Sequence, residues 1–237
     1  MRIPFLSAAA CIAIGAAVPA AGADRNFGVS GFDRVRVDGP YKVKLVTGVA
    51  PFAIASGSPA ALDSVALDVQ GRTLIVRTSR SSWGGYPGES TGPVTISIGT
   101  HDLSAAWLNG AGSLAIDKVR GLSFDLSVEG SGAASIALAE VDQLKVSIAG
   151  TGSASIAGTA PKLTAMVRGV SSLDASALSV KDETIGAQGP ATVKAMVTNS
   201  AKVDAQGPAV VDFAGSPACT TTAEGSATVS GCGSSAY

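Results

Sequence analysis

The side chains best suited to contact a ligand are two aromatics in a loop rich in glycine and serine. Trp83 and Tyr86 lie in the segment SSWGGYPG, residues 81–88, of a chain that is only 5% aromatic. Such rings can stack on sugars or anchor a partner protein, because they bury a large area for little loss of conformational entropy. Packing of Trp83 against the fold is the structural alternative. Trp107 is a further aromatic that can border the same face.

Two cysteines, Cys219 and Cys232, remain once the N-terminal segment 1–23 is set aside. An even pair favours a disulfide in an oxidising compartment. The bond would fasten the last part of the chain, which otherwise presents an open strand edge. The two cysteines are separated by less than one of the sequence repeats described below, so we do not expect them to stack directly on each other.

Residue types that support catalysis or bind metals and cofactors are sparse. His101 is the sole histidine, so histidine-rich metal sites are excluded and a Ser/His/Asp triad would depend on one residue. The glycine-rich turns precede strand-like sequence rather than a helix, which excludes a dinucleotide site. The acidic residues of the repeat region are scattered, as surface charge would be: Asp125, Glu129, Asp174, Asp204 and Asp212. The sequence therefore predicts no catalytic centre, no metal and no cofactor, and hence not an enzyme.

The N-terminal segment 1–23 has the features of a secretory signal. Arg2 supplies a positive charge, residues 5–17 form an apolar stretch too short to span a bilayer, and Ala21-Gly22-Ala23 suits a signal peptidase. Cys11 lies inside the apolar stretch rather than after it, so lipidation is the less favoured interpretation. We expect an exported mature chain, residues 24–237, that forms one domain.

Charge and hydropathy limit the partners of the mature chain. The formal net charge of the whole sequence is -1, and no basic cluster suits nucleic acid or an anionic membrane surface. No segment after the signal approaches the length of a membrane-spanning helix. A glycan or another envelope protein, in the periplasm or at the cell surface, is the partner class that remains.

Alternating apolar residues predict strands between residues 26 and 80 and again at residues 94–98. The clearest pairs are Val35 and Val37, Val43 and Leu45, Phe52 and Ile54, and Leu74 and Val76. Residues 59–63 can instead form a helical turn, because Ser58 can cap it and proline suits a first helical position.

An internal repeat follows, in which small-residue turns recur at intervals of about 18 to 20 residues. Its register is marked by the glycines Gly110, Gly130, Gly150, Gly169, Gly189, Gly207 and Gly225. Apolar residues recur four and two positions before each glycine and four after it, with Thr221 as the exception. Even offsets lie on one face of a strand, so these columns face a core. Each register glycine and the small residue two places after it also stand at even offsets, so we expect both to face inward.

This repeat predicts an all-β fold, a single-stranded parallel β-helix with coils of about 18 to 20 residues. Each strand would pair with the strand of the preceding coil. Propeller blades need about twice this period, and sandwiches do not repeat their turn chemistry in register. The mostly polar residues just before each glycine should form ladders facing solvent.

The opening at residues 31–45, the segment 62–76 and the ladder of G-x-G turns resemble the head GIN domain family, exported bacterial proteins described as putative auto-transporter adhesins. The resemblance extends over essentially the whole mature chain. It implies a right-handed parallel β-helix, an envelope or surface location and no catalytic residue to transfer. The later turns depart from the family pattern and read Gln-Gly-Pro, beginning at Gln188 and Gln206.

The sequence supports three functional hypotheses. The leading one is a non-enzymatic exported β-helix that binds a glycan or an envelope protein, with Trp83 and Tyr86 as candidate contacts. A carbohydrate-active enzyme is the second, and it would need carboxylates brought together by the N-terminal loops. The third is a scaffold that assembles end to end through its terminal coils.

Overall fold

Strands make up nearly all of the regular structure in the computed structural model, which describes residues 23–79 and 92–233. They form a β-solenoid of about six turns, so the predicted fold class is confirmed. The predicted signal lies outside the described residues, apart from Ala23.

Seventeen strands and one short helix are found in the described residues. The helix α1 spans Pro59–Asp63. The strands are β1 (Ala23–Phe27), β2 (Arg34–Asp38), β3 (Lys42–Thr47), β4 (Phe52–Gly57), β5 (Val65–Gln70), β6 (Thr73–Thr78), β7 (Thr95–Thr100), β8 (Ala105–Gly110), β9 (Ser113–Gly130), β10 (Ala133–Gly150), β11 (Ser153–Thr159), β12 (Lys162–Gly169), β13 (Ser172–Gln188), β14 (Thr192–Gln206), β15 (Val210–Ala214), β16 (Ala218–Glu224) and β17 (Thr228–Ser230).

Each coil runs through two main walls and a short third side. The first wall contains the strand segments that lead up to the register glycines, from β8 to β16, and β2 extends it towards the N-terminus. The second wall contains the segments that follow the glycine turns, from β9 to β17, and β3 extends it. Pairing between successive coils is parallel throughout, as the repeat predicted.

The three predicted apolar columns lie in register and face the core. The column two residues before each glycine is fully buried over six coils, at Leu108, Val128, Ile148, Val167, Ala187 and Ala205. Burial of each larger aliphatic side chain contributes about 1.5–3 kcal/mol, so stacking of coils supplies the core that one coil lacks. In the last strand of the first wall, Thr221 and Ala223 are exposed.

The register glycines lie where the chain turns from the first wall to the second. Gly150 has a φ of +106°, and a Cβ there would lie 2.7 Å from the carbonyl oxygen of Gly130. Both the conformation and the close approach of two backbones therefore require glycine. The expectation that these glycines face inward was wrong, because the turn carries Gly130 and Gly150 to an exposed corner. The residue two places later is buried, as at Gly152.

The N-terminal part extends both walls before the repeats begin. Gly39 is an earlier register position, since its N–H donates to the carbonyl oxygen of Asn109 at 2.9 Å. Strand β6 pairs in parallel with β2, and β7 pairs in parallel with β3. Antiparallel strands complete each wall, with β5 beside β6, β4 beside β7 and β1 beside β4.

Two local predictions for this part had different outcomes. The helical turn is confirmed: the Ser58 side chain accepts a hydrogen bond from the Ala61 N–H at 3.2 Å, and Pro59 occupies the start of α1. In β4 the predicted parity was wrong, because Ala53 and Ala55 are buried while Phe52 is exposed. The Phe52 ring instead covers Gly99 on the outer surface, where a Cβ would lie 2.2 Å from it.

No helix in the described parts of the chain is both long and apolar enough to cross a membrane.

Candidate functional site

The two aromatics selected from the sequence, Trp83 and Tyr86, lie outside the described residues. Their segment joins β6, which ends at Thr78, to β7, which begins at Thr95. Their role in binding therefore stays a prediction. The aromatic that the structure does describe is Trp107.

Trp107 lies on the outer surface of the first wall, in the middle of β8. Its register partners are Arg36 on β2 and Ser127 on β9, and the column continues to Ser147 and Met166. The side chain is half-buried. Trp107 is thus a large flat ring in a column that has serine in the next two coils.

A groove of about 450 Å³ lies on the N-terminal side of Trp107, and we call it the polar groove. The β5–β6 hairpin forms one edge, because β6 pairs with β2 beside the first wall. The groove is lined by Arg36, Gln70, Thr73, Ile75, Trp107, Asn109 and Glu129. Residues from four separate segments of the chain therefore meet around one aromatic ring.

Asp38 organises two of the polar side chains in this groove. Its Oδ1 accepts hydrogen bonds from Arg36 Nε at 2.9 Å and from Asn109 Nδ2 at 2.6 Å. These bonds leave the terminal guanidinium nitrogens of Arg36 and the side-chain oxygen of Asn109 without a hydrogen bond inside the described chain. The groove thus combines orientated donors and acceptors with an aromatic surface.

A second, smaller hollow of about 190 Å³ lies on the other side of Trp107, and we call it the serine trough. Trp107, Ser127, Ser147 and Met166 line it along one column, and its accessible surface is almost entirely apolar. Three coil spacings separate the Trp107 and Met166 backbones, a distance of about 14 Å. The Met166 side chain lies over Gly186, where a Cβ would be 2.6 Å from the Met166 sulfur. The trough exists because Ser127 and Ser147, in successive coils, are small residues between the larger Trp107 and Met166 side chains.

A family model described as "Putative auto-transporter adhesin, head GIN domain" matches residues 31–217 of the chain. The chain belongs to this family. The sequence resemblance is therefore confirmed over most of the chain.

Solved structures with the same fold come from Bacteroides and Parabacteroides species. A putative adhesin from Bacteroides fragilis has a TM-score of 0.73 at 17% identity, and the match covers 88% of this chain and 95% of that one. A putative lipid binding protein from Parabacteroides distasonis has a TM-score of 0.68 at 18% identity, covering 89% and 96%. A putative adhesin from Parabacteroides merdae has a TM-score of 0.65 at 16% identity, covering 89% and 96%. At these identities the likeness concerns the fold. No curated protein matches the chain.

The other side chains considered for chemistry in this head GIN domain are spread over its surface. His101 is exposed in a bend after β7, and the five acidic residues named from the sequence are all exposed. Among residues 23–79 and 92–233, no group of three or more His, Cys, Asp or Glu side chains is arranged to hold a metal ion.

Cys219 and Cys232 are joined by a disulfide with a Cα–Cα distance of 5.7 Å. Cys219 lies in β16, and Cys232 follows β17. The two residues belong to the last segments of the two walls, so the bond links the end of the first wall to the chain that leaves the second. The separation of 13 residues, which is shorter than one coil, is therefore compatible with the disulfide.

One titratable group was missed by the sequence analysis. Glu183 is 3% exposed, lies between Leu163 and Ala201 in register, and neither carboxyl oxygen has a hydrogen-bond partner among the described residues. Burial raises the pKa of Glu183 to about 8. The signal was present, since Glu183 stands at an even offset from Gly189 and so has inward parity. It lies in the core of the head GIN domain, away from both grooves beside Trp107.

Proposed function

We propose that this head GIN domain protein is an exported, non-enzymatic module that binds a component of the cell envelope, as an adhesin does. The ligand is held on the outer surface of the first wall rather than in a deep pocket. The observation that carries this proposal is Trp107, which stands on a regular β wall with the polar groove on one side and the serine trough on the other.

The carboxylates near these grooves favour binding over hydrolysis. Asp125 and Glu129 lie four residues apart on β9, a Cα separation of about 13 Å along a strand. Asp38 and Glu129 are two strand spacings apart, about 10 Å, but Asp38 Oδ1 already accepts hydrogen bonds from Arg36 Nε and Asn109 Nδ2. Glycosidases place their two carboxyl groups roughly 5–10 Å apart around the scissile bond. Neither groove has a histidine or a cysteine among the described residues that line it. A carbohydrate-active enzyme is accordingly the weaker hypothesis.

The names of related proteins agree with a binding role. The family is described as putative adhesins, as are two of the structural neighbours, while another neighbour is named a putative lipid binding protein. The sequence features of residues 1–23 support export to the periplasm or the cell surface, where glycans and envelope proteins are available.

The test is binding of the purified mature chain, residues 24–237, to an array of glycans, envelope lipids and envelope protein fractions. Selective and saturable binding to any class supports the proposal. Absence of binding across the array, with a chain whose circular dichroism shows folded β structure, would overturn it.

End-to-end assembly is a second candidate, favoured by one observation on the last coil. Strand β16 pairs only with β14 among the described residues, and Thr221 and Ala223 are exposed at core-facing positions. Natural edge strands are usually protected by lysine, proline or a bulge, and β16 contains neither lysine nor proline. Sedimentation velocity over a range of protein concentrations tests this: a mass that rises and then falls in Thr222→Pro supports assembly, and a constant monomer mass excludes it.

A further inference from the structure

We infer that the polar groove beside Trp107 is a binding site for a neutral pyranose unit of an oligosaccharide. Trp107 would stack on the sugar ring, while Arg36, Asn109 and Glu129 would hydrogen-bond its hydroxyl groups. This inference rests on the proposed function and names its ligand class and its site.

The aromatic platform is the first requirement. A pyranose ring has a flat face of C–H groups, which packs on the electron-rich face of an indole. Trp107 is held by a strand that pairs on both sides, with β2 and with β9, so its position costs little further ordering on binding. Its indole N–H makes no hydrogen bond within the described chain, which leaves a donor at the ring edge.

The polar complement is the second requirement. A sugar hydroxyl both donates and accepts hydrogen bonds, so its site needs both kinds of partner. The guanidinium of Arg36 provides donors, and the side-chain oxygens of Asn109 and Glu129 provide acceptors. Asp38 orientates Arg36 and Asn109 from behind through the bonds of 2.9 Å and 2.6 Å. Orientated groups of this kind lose little freedom when the ligand arrives.

The charge of the groove favours a neutral sugar. Arg36 and Glu129 are the charged residues among its lining side chains, and they have opposite signs. Asp38 further offsets the charge of Arg36. A sulfated, phosphorylated or uronic acid ligand would need an excess of basic groups, and the described residues that line this groove supply none.

The lining of the polar groove argues against a lipid chain or an apolar protein anchor at that groove. Both would need a dry, continuous apolar surface, but the groove is open and five of its seven lining residues are polar or charged. The large hydrophobic side chains that are exposed in the described residues belong to other parts of the surface: Val46, Phe52, Leu122, Val170 and Val210.

The serine trough extends the site along the stack of coils. It shares Trp107 with the polar groove, and its accessible surface is almost entirely apolar, so it suits the C–H faces of further sugar units rather than their hydroxyl groups. A chain of several sugars can therefore continue past Trp107, so we expect oligosaccharides to bind more tightly than their monosaccharides.

The experiment is calorimetric titration of the mature chain with neutral glucan, mannan and chitin-type hexasaccharides and with an acidic polyuronide control. We expect saturable binding of at least one neutral probe. Trp107→Ala should weaken it at least about tenfold, as loss of an aromatic anchor does, and Glu129→Gln about threefold to tenfold. Lys202→Ala, on the same wall in a later coil, should leave the affinity unchanged.

The variants also guard against a folding artefact. Ser127→Leu fills the trough beside Trp107 without removing the ring, so it should weaken hexasaccharide binding while the thermal midpoint stays near that of the wild type. Binding of a neutral probe that neither Trp107→Ala nor Ser127→Leu weakens would overturn the site. Preference for the polyuronide, or binding of no sugar at all, would overturn the ligand class.

The outcomes separate this inference from the proposed function. Retained binding to envelope lipid or protein on the array, with no binding to any sugar, removes the sugar site and leaves the binding module intact. Absence of every array signal in folded protein removes both.

Discussion

Glu183 lies in register with Leu163, so a carboxyl group occupies a core position that the preceding coils fill with Phe124, Leu144 and Leu163. Neither of its oxygens has a hydrogen-bond partner among the described residues. Burial without a partner disfavours the ionised form, which is why the pKa of Glu183 rises from 4.5 to about 8.

The stability of the protein should therefore fall as the pH rises. Below about pH 4.5 the carboxyl is protonated in both states, whereas between about pH 4.5 and pH 8 only the unfolded chain releases the proton. The unfolded state then binds fewer protons, so the free energy of unfolding decreases through this window by roughly 3–5 kcal/mol. Urea unfolding at a series of pH values measures the slope.

Glu183→Gln should raise stability near neutral pH and flatten this slope, because the amide cannot ionise. Glu224→Gln, the same substitution at an exposed site, is the matched control and should leave the slope as it is. A slope that persists in Glu183→Gln would show that Glu183 is not the group responsible.

The glycine turns should resist even the smallest side chain. In Gly150→Ala the φ of +106° costs about 1–2 kcal/mol, and the close approach to the Gly130 carbonyl adds about 1–3 kcal/mol. Gly48→Ala separates the two effects, because Gly48 has a φ of +77° but open space around it. Thermal or urea unfolding should show the larger loss for Gly150→Ala. Equal losses would contradict the close stacking of the turns.

The disulfide should stabilise the end of the solenoid. A closed loop of this size restricts the unfolded chain by about 3 kcal/mol. Adding reductant should therefore lower the thermal midpoint of the wild type. The double variant Cys219→Ser with Cys232→Ser should have a low midpoint that reductant does not change. Insensitivity of the wild type, together with free thiols by mass spectrometry, would show that the bond does not form.

Much of the fold could be predicted because it is periodic. The repeat spacing aligned Leu108, Val128 and Ile148 in one column, and backbone pairing between coils places them there in the structure. Local rules also sufficed for α1, where Ser58 and Pro59 determine the start of the helix. In β4 the rule of burying the larger residues failed, because Gly99 opens a place for Phe52 on the outside.

The candidate site was less predictable, since it depends on contacts between distant segments. Trp107 was recognised only as part of an outer column beside Ser127 and Ser147. The polar groove also needs Gln70 and Ile75, which reach it because β6 pairs with β2. That pairing joins residues far apart in the chain and outside the glycine repeat, so no spacing rule indicated it.

The most direct test of the binding account uses the fact that the chain has two tryptophans, Trp83 and Trp107. Trp83→Phe leaves Trp107 as the sole tryptophan, and Trp107→Phe leaves Trp83. We would titrate both variants with the neutral hexasaccharide that binds best and follow tryptophan emission. The account predicts a saturable change in emission from the Trp107-only protein and none from the Trp83-only protein. A change confined to the Trp83-only protein would contradict it and move the site to the segment between β6 and β7.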